Sequence, residues 1–159
     1  MYAPVRLGLA MAITASFSVA SCAEGPTQSS RIDRLVSTTS FGMCVGYCRT
    51  RLEITPDAAV LLREPGGRGG TTLPTQRFKV TLSPAEWQDI TRLAEATKFD
   101  GLPAVIGCPD CADGGAESLE ISGSGGTKSV SFDHGADIQP LQPLLDHVRA
   151  LRSKLTPGN

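Results

Sequence analysis

The chain is 159 residues long, 19% charged and 5% aromatic, with a formal net charge of -1. Near-neutral charge, no basic tract and no basic patch interleaved with aromatic residues exclude nucleic acid from the expected partners. The length suits one domain that can bury a real core without depending on disulfides.

In chain order, residues 1–21 place one cation, Arg6, before an apolar run reaching Phe17 and then a small-residue stretch. That layout predicts a secretory signal peptide. The run falls short of the roughly 20 apolar residues a membrane-spanning helix needs. The segment VASC, from Val19 to Cys22, resembles the lipobox of bacterial lipoproteins, with Val where Leu is commoner. The resemblance implies that the Cys22 thiol receives a diacylglyceryl group, that the signal is cut just before it, and that the new amino terminus is acylated. Several acyl chains at about 0.8 kcal/mol per buried methylene would then hold the protein on a membrane. Ala23 follows where an Asp would retain such a protein at the inner membrane. The implied location is the outer membrane, facing the periplasm.

Residues 22–31 are small and polar and read as a flexible tether. A single domain is expected over residues 32–156. Within RTRLEIT, Leu52 and Ile54 alternate with Arg51, Glu53 and Thr55, the period of a half-buried strand. The turn TPDA leads to a second strand, AVLLRE, and after a glycine-rich loop RFKVTL alternates Phe78, Val80 and Leu82 with polar residues. A helix opens at SPAEW. Ser83 suits the N-cap, Pro84 the first turn, and Glu86 completes a capping box. Its stripe is Trp87, Ile90, Leu93, Ala94 and Thr97.

Two further strands, ESLEISG and KSVSFDH, flank a glycine-rich turn and are expected to pair antiparallel. The chain closes on a second amphipathic helix with Leu141, Leu145, Val148, Leu151 and Leu155 on one side. Pro140 and Pro143 confine its regular part to roughly residue 141 onward. The expected architecture is α+β: an antiparallel sheet of about five strands with two helices packed on one face. Arg51, Glu53, Arg77, Lys79, Glu120 and Lys128 are assigned to the solvated face of that sheet.

Five cysteines are present. With Cys22 assigned to lipid, Cys44, Cys48, Cys108 and Cys111 remain. An even set in an exported chain reads as two disulfides, of which three connectivities are open. Two other chemistries compete. The spacings suit two thiolate loops meeting at one zinc ion, which requires reduced sulfurs. Cys108–Cys111 is also a Cys-x-x-Cys, the spacing of thiol-disulfide exchange proteins. There, however, the pair opens a helix that lowers the thiol pKa. Here glycines follow, and Asp110 and Asp113 would raise it.

The segment SFGMCVGYCRTRLEI, the helix LSPAEWQDITRLAEATKFDGLP and the hairpin ISGSGGTKSVSFDHG together resemble a bacterial domain family of unknown function. Its signature is roughly Cys-Phe-Gly-x-Cys-Pro-x-Tyr. Phe41, Gly42, Cys44 and Tyr47 match it, whereas Ser40 and Val45 stand where the first Cys and the Pro would be. The similarity runs from about Ile32 to Leu155. It implies an exported or lipid-anchored α+β protein, a local bridge displaced to Cys44 and Cys48, and no active site.

The remaining constellations read as ordinary surface or core. Asp110, Asp113 and Glu117 lack calcium-loop spacing and are taken as a solvated loop. Residues 66–70 lack the Gly-Lys-Ser/Thr of a phosphate loop. His134 and His147 have no serine in a Gly-x-Ser-x-Gly elbow to serve. Trp87 and Phe99 are assigned to core packing. The expectation is therefore a membrane-anchored envelope protein acting without catalysis and without a cofactor or bound metal, through an envelope protein partner. The alternative is a periplasmic thiol-disulfide or zinc protein using Cys44, Cys48, Cys108 and Cys111.

Overall fold

The computed structural model describes residues 31–66, 72–97 and 99–157. The expected signal peptide, Cys22, the tether apart from Arg31, and most of the glycine-rich loop lie outside the described residues. The strands are β1 (Ile32–Ser40), β2 (Tyr47–Thr55), β3 (Ala58–Pro65), β4 (Gln76–Thr81), β5 (Val105–Ile106), β6 (Ala116–Gly123) and β7 (Gly126–Asp133). The helices are α1 (Pro84–Ala96) and α2 (Gln142–Leu155). All seven strands form one sheet in the order β4-β3-β2-β1-β6-β7-β5, antiparallel except where β5 runs parallel to β7.

The expected five strands are therefore seven, and the α+β class holds. The two strands missing from the expectation failed for different reasons. β5 has two residues, too few to show a period. β1 is the central strand: Leu35 is buried under the helices and Val36, on the opposite face, between the Arg34–Glu120 and Arg51–Glu53 pairs of its neighbours, so the two are buried side by side and alternation is lost. The rest of its length is Ser37, Thr38, Thr39 and Ser40, residues that resemble a loop when read alone.

Register fixes which residues share a face. Leu35 lies opposite Ile54 and Ile121, Ser37 opposite Leu52 and Leu119, and Thr39 opposite Thr50 and Glu117. On this face one cluster joins Leu35, Leu52, Ile54, Leu61, Leu119, Val130 and Phe132 to Ile90 and Ala94 of α1 and to Leu144, Leu145 and Val148 of α2. The opposite face carries Arg51, Glu53, Arg77, Lys79 and Glu120, as the alternation predicts, with ion pairs Arg34–Glu120 and Arg51–Glu53 flanking Val36. Lys128 corrects the expectation. It shares its side of β7 with Val130 and Phe132, and at the margin of the core it pairs with Asp100.

The local signals of α1 are met in full. The Ser83 hydroxyl accepts from the Glu86 amide at 3.2 Å, and the Glu86 carboxylate accepts from the Ser83 amide at 2.7 Å. The Ser83 amide foremost, and after it the Ser83 hydroxyl, which donates to the same carboxylate at 2.7 Å, hold the Glu86 carboxyl below the usual carboxylate range. α2 starts with Pro143 in its first turn and ends with Arg152 and Lys154, cations suited to the negative end of a helix.

The sheet has two dissimilar ends. At one end lie Ile32, where β1 begins, the β2–β3 turn, and the tight β6–β7 hairpin in which Gly123 pairs with Gly126. At the other end Ser40 pairs with Arg49 and Ala116, and Ala116 with Asp133. Eight steps along β1 at about 3.3 Å each separate the two ends by roughly 26 Å.

Candidate functional site

Cys44, Cys48, Cys108 and Cys111 lie at the end of the sheet away from the start of β1. They form two local pairs, Cys44 of the β1–β2 loop with Cys48 at the start of β2, and Cys108–Cys111 in the β5–β6 loop, with Cα atoms 5.5 and 5.4 Å apart. Both bridges are thus local, and the four sulfurs do not converge. Among the described residues no group of three or more His, Cys, Asp or Glu is placed to hold a metal ion.

The β1–β2 loop makes contacts that explain its residue types. Its base is closed by the Phe41 amide, which donates to the Cys48 carbonyl at 3.0 Å. The Phe41 ring meets His134 edge-on with centroids 4.7 Å apart. It also packs over Gly115, where a side chain would collide with it. The Gly42 amide points at Asp110 Oδ1, 3.4 Å away, joining this loop to the second cysteine loop. The Tyr47 hydroxyl donates to the Pro74 carbonyl at 3.0 Å, and the Arg63 guanidinium sits 4.8 Å above the Tyr47 ring. Phe41, Gly42, Cys44 and Tyr47 therefore act together as a brace for three loops. Met43 and Val45 project from it, 52% and 82% exposed.

The β5–β6 loop carries an unusual backbone. Asp110, Ala112 and Asp113 have φ of 64, 52 and 60°, and Gly107 and Gly115 are positive as well. Left-handed conformations cost an alanine roughly 1 kcal/mol or more, so tertiary contacts must hold them. The Gly115 carbonyl accepts from the amides of both Asp110 and His134 at 3.1 Å, and the Asp133 carboxylate accepts from the Cys108 amide at 3.2 Å. After Cys108 comes a single 3₁₀ turn, Cys111–Asp113, and no α-helix whose dipole would activate a thiol.

Beneath the loops lies a polar cluster that the sequence reading misassigned. Its spacing near Asp110 and Asp113 suggests a solvated loop, yet Glu117 is 1% exposed. Arg149 Nε and Nη2 donate to its Oε2 at 3.1 and 2.8 Å, and Arg152 Nη1 donates to its Oε1 at 3.0 Å. Arg152 also donates to the Ser37 hydroxyl, and Arg149 to the Ala136 carbonyl at 2.9 Å. Arg152 Nε is buried without a hydrogen-bond partner among the described residues. Burial pushes the Glu117 carboxyl up, but the Arg149 hydrogen bond and the charges of Arg152 and Arg149 outweigh it and hold the group below the ordinary value of 4.5.

Glu117 is thereby ionised at neutral pH with both oxygens engaged. It is suited to neither proton donation nor calcium binding, and the triad ties α2 to β1 and β6. A cleft of about 420 Å³ opens beside it between His134, Arg149, Arg152 and Thr156. The sequence held one signal for this cluster: Glu117 shares the parity of Leu119 and Ile121, which places it inward.

The other candidates stay apart. Ser122 bonds Thr127 at 3.1 Å near the β6–β7 hairpin, whereas His134 lies past the opposite end of β7, so no hydrolytic pair forms between them. His147 faces Leu82 and Glu86 across a different cavity. Trp87 and Phe99 pack against the core as expected. Cys22 lies outside the described residues. No protein-family model matches this chain, and no curated protein does either.

Proposed function

We propose that this chain is a lipid-anchored protein of the cell envelope whose α+β domain is a non-catalytic binding module, held through Cys22 at the outer membrane and facing the periplasm. The observation that supports this reading is the polarity of β1. The tether joins at Ile32, while the two cysteine loops sit at the far end of the same strand, with Met43 and Val45 at their tip. An N-terminal anchor would leave that braced surface pointing away from the membrane. Exposed apolar side chains on a stiff loop suit an envelope protein partner, since little conformational freedom is lost on docking. The cysteine-family signature fits the same reading through the brace that Phe41, Gly42 and Tyr47 make.

Two measurements test it. Changing Cys22→Ala should release the protein, once processed, from the membrane fraction, and persistence there would remove the anchor. A photo-crosslinking residue at Val45 should yield one discrete adduct in intact cells while the same residue at Asp57, in the β2–β3 turn, yields none. Equal crosslinking at both positions would discard the loop as the contact surface.

A further inference from the structure

The two bridges differ in what surrounds their sulfurs. Cys48 is 1% exposed, and its Sγ lies 3.0 Å from the Gly66 carbonyl oxygen and 3.6 Å from that of Gly46. A thiolate attacking the half-buried Cys44 would have to expel Cys48 as an anion, in a buried site facing two carbonyl oxygens. That environment disfavours a thiolate and makes Cys48 a poor leaving group. Cys108 and Cys111 are both exposed, so either sulfur can be reached and either product thiolate is met by water. Asp110, inside the small ring that this bridge closes, and Ala112 and Asp113 just after it, hold left-handed backbone that opening the ring would let relax.

We infer that Cys108–Cys111 is a thiol-disulfide exchange site, reduced by a dithiol of neutral or cationic surroundings, while Cys44–Cys48 stays closed as a structural brace. An incoming thiolate bonds to one of the two exposed sulfurs. The Cys108–Cys111 bond breaks, and its electron pair leaves on the other sulfur, which takes a proton from water. The second thiol of the reductant then resolves the mixed disulfide, so two electrons and two protons pass from the dithiol to the bridge. The preference for reductant charge comes from Asp110, Asp113 and Asp133, which flank the pair in sequence or bond its backbone. No ion pair among the described residues neutralises any of the three. Their field repels an anionic thiol and spares a zwitterionic one. Reduction also frees the loop that holds Asp110 against Gly42, so the redox state of one loop reaches the other.

The test uses the oxidised mature chain, alkylated at intervals under native conditions and mapped by peptide mass spectrometry. With dithiothreitol, Cys108 and Cys111 should become alkylated at least about tenfold sooner than Cys44 and Cys48. Equal rates, the reverse order, or a Cys108–Cys111 bridge that resists dithiothreitol would overturn the assignment. With monothiols, corrected for thiolate fraction, cysteamine should form adducts about fivefold faster than 2-mercaptoethanesulfonate at ~0.01 M ionic strength, and the gap should close near ~0.5 M. The double change Asp110→Asn with Asp113→Asn should shrink that gap. A gap absent in the unchanged chain would overturn the charge preference. Neither result depends on the lipid anchor or on a docking partner, so the two readings can fail separately.

Discussion

Followed from the start of β1 toward the cysteines, the core face runs Leu35, Ser37, Thr39 on β1, Ile54, Leu52, Thr50 on β2, and Ile121, Leu119, Glu117 on β6. One end of the same layer is closed by aliphatic packing, the other by hydroxyl pairs such as Thr39–Thr50 at 2.7 Å and by the Glu117–Arg149–Arg152 triad. The apolar end gains from area removed from water and depends on shape in small increments. The ionic end depends on completeness, because each member left behind would be a buried, uncompensated charge. The demanding end is the one that supports the cysteine loops.

The largest expected effect is on that ionic end. Glu117→Gln strands two guanidinium groups and should lower unfolding stability by about 3–5 kcal/mol at neutral pH, read by urea denaturation. A loss below about 1 kcal/mol would mean that the arginines find other partners. Leu119→Ala, one pair of residues toward the apolar end, should cost about 3 kcal/mol through lost transfer energy and a residual cavity. Its loss should be the same at pH 7 and pH 4.

Acid separates the two ends. Because the folded-state pKa of Glu117 lies below its ordinary value of 4.5, its contribution is complete above that value and is lost as pH falls through the lower, folded-state pKa. The stability gap between the unchanged protein and Glu117→Gln should therefore hold down to about pH 5 and narrow below it. A gap unchanged at pH 3 would show that the loss comes from packing and not from charge. The smallest effect concerns the loop above. Ala112 sits at φ 52°, so Ala112→Gly should raise stability by up to about 1 kcal/mol, visible as a higher thermal midpoint. A fall instead would mean that the unfolded chain's added freedom outweighs the relieved strain.

The five strands expected from alternation are five of the seven observed, and the capping box of α1 and the proline-limited start of α2 follow from short-range chemistry. Those features depend on residues within a few positions of each other, where a hydroxyl, a carboxylate or a proline ring leaves one good local arrangement. β1 escaped because centrality is a property of neighbours. Once neighbouring side chains bury an apolar residue on the outer face and the core side carries hydroxyls, a strand need not alternate in polarity. The parity of Glu117 with Leu119 and Ile121 was legible, but the arginines that make burial tolerable lie 32 and 35 residues away on α2.

By itself the sequence determined the α+β class, the core stripes and the even set of four domain cysteines, because period and local hydrogen bonding act over distances the chain order preserves. The tertiary structure alone decided that Cys108 pairs with Cys111, that both cysteine pairs share the end opposite the start of β1, and that Cys48 is buried while Cys108 and Cys111 meet solvent. Those outcomes depend on strand order and register, which bring Phe41 to Gly115, Gly42 to Asp110 and Glu117 to α2 across long stretches of chain.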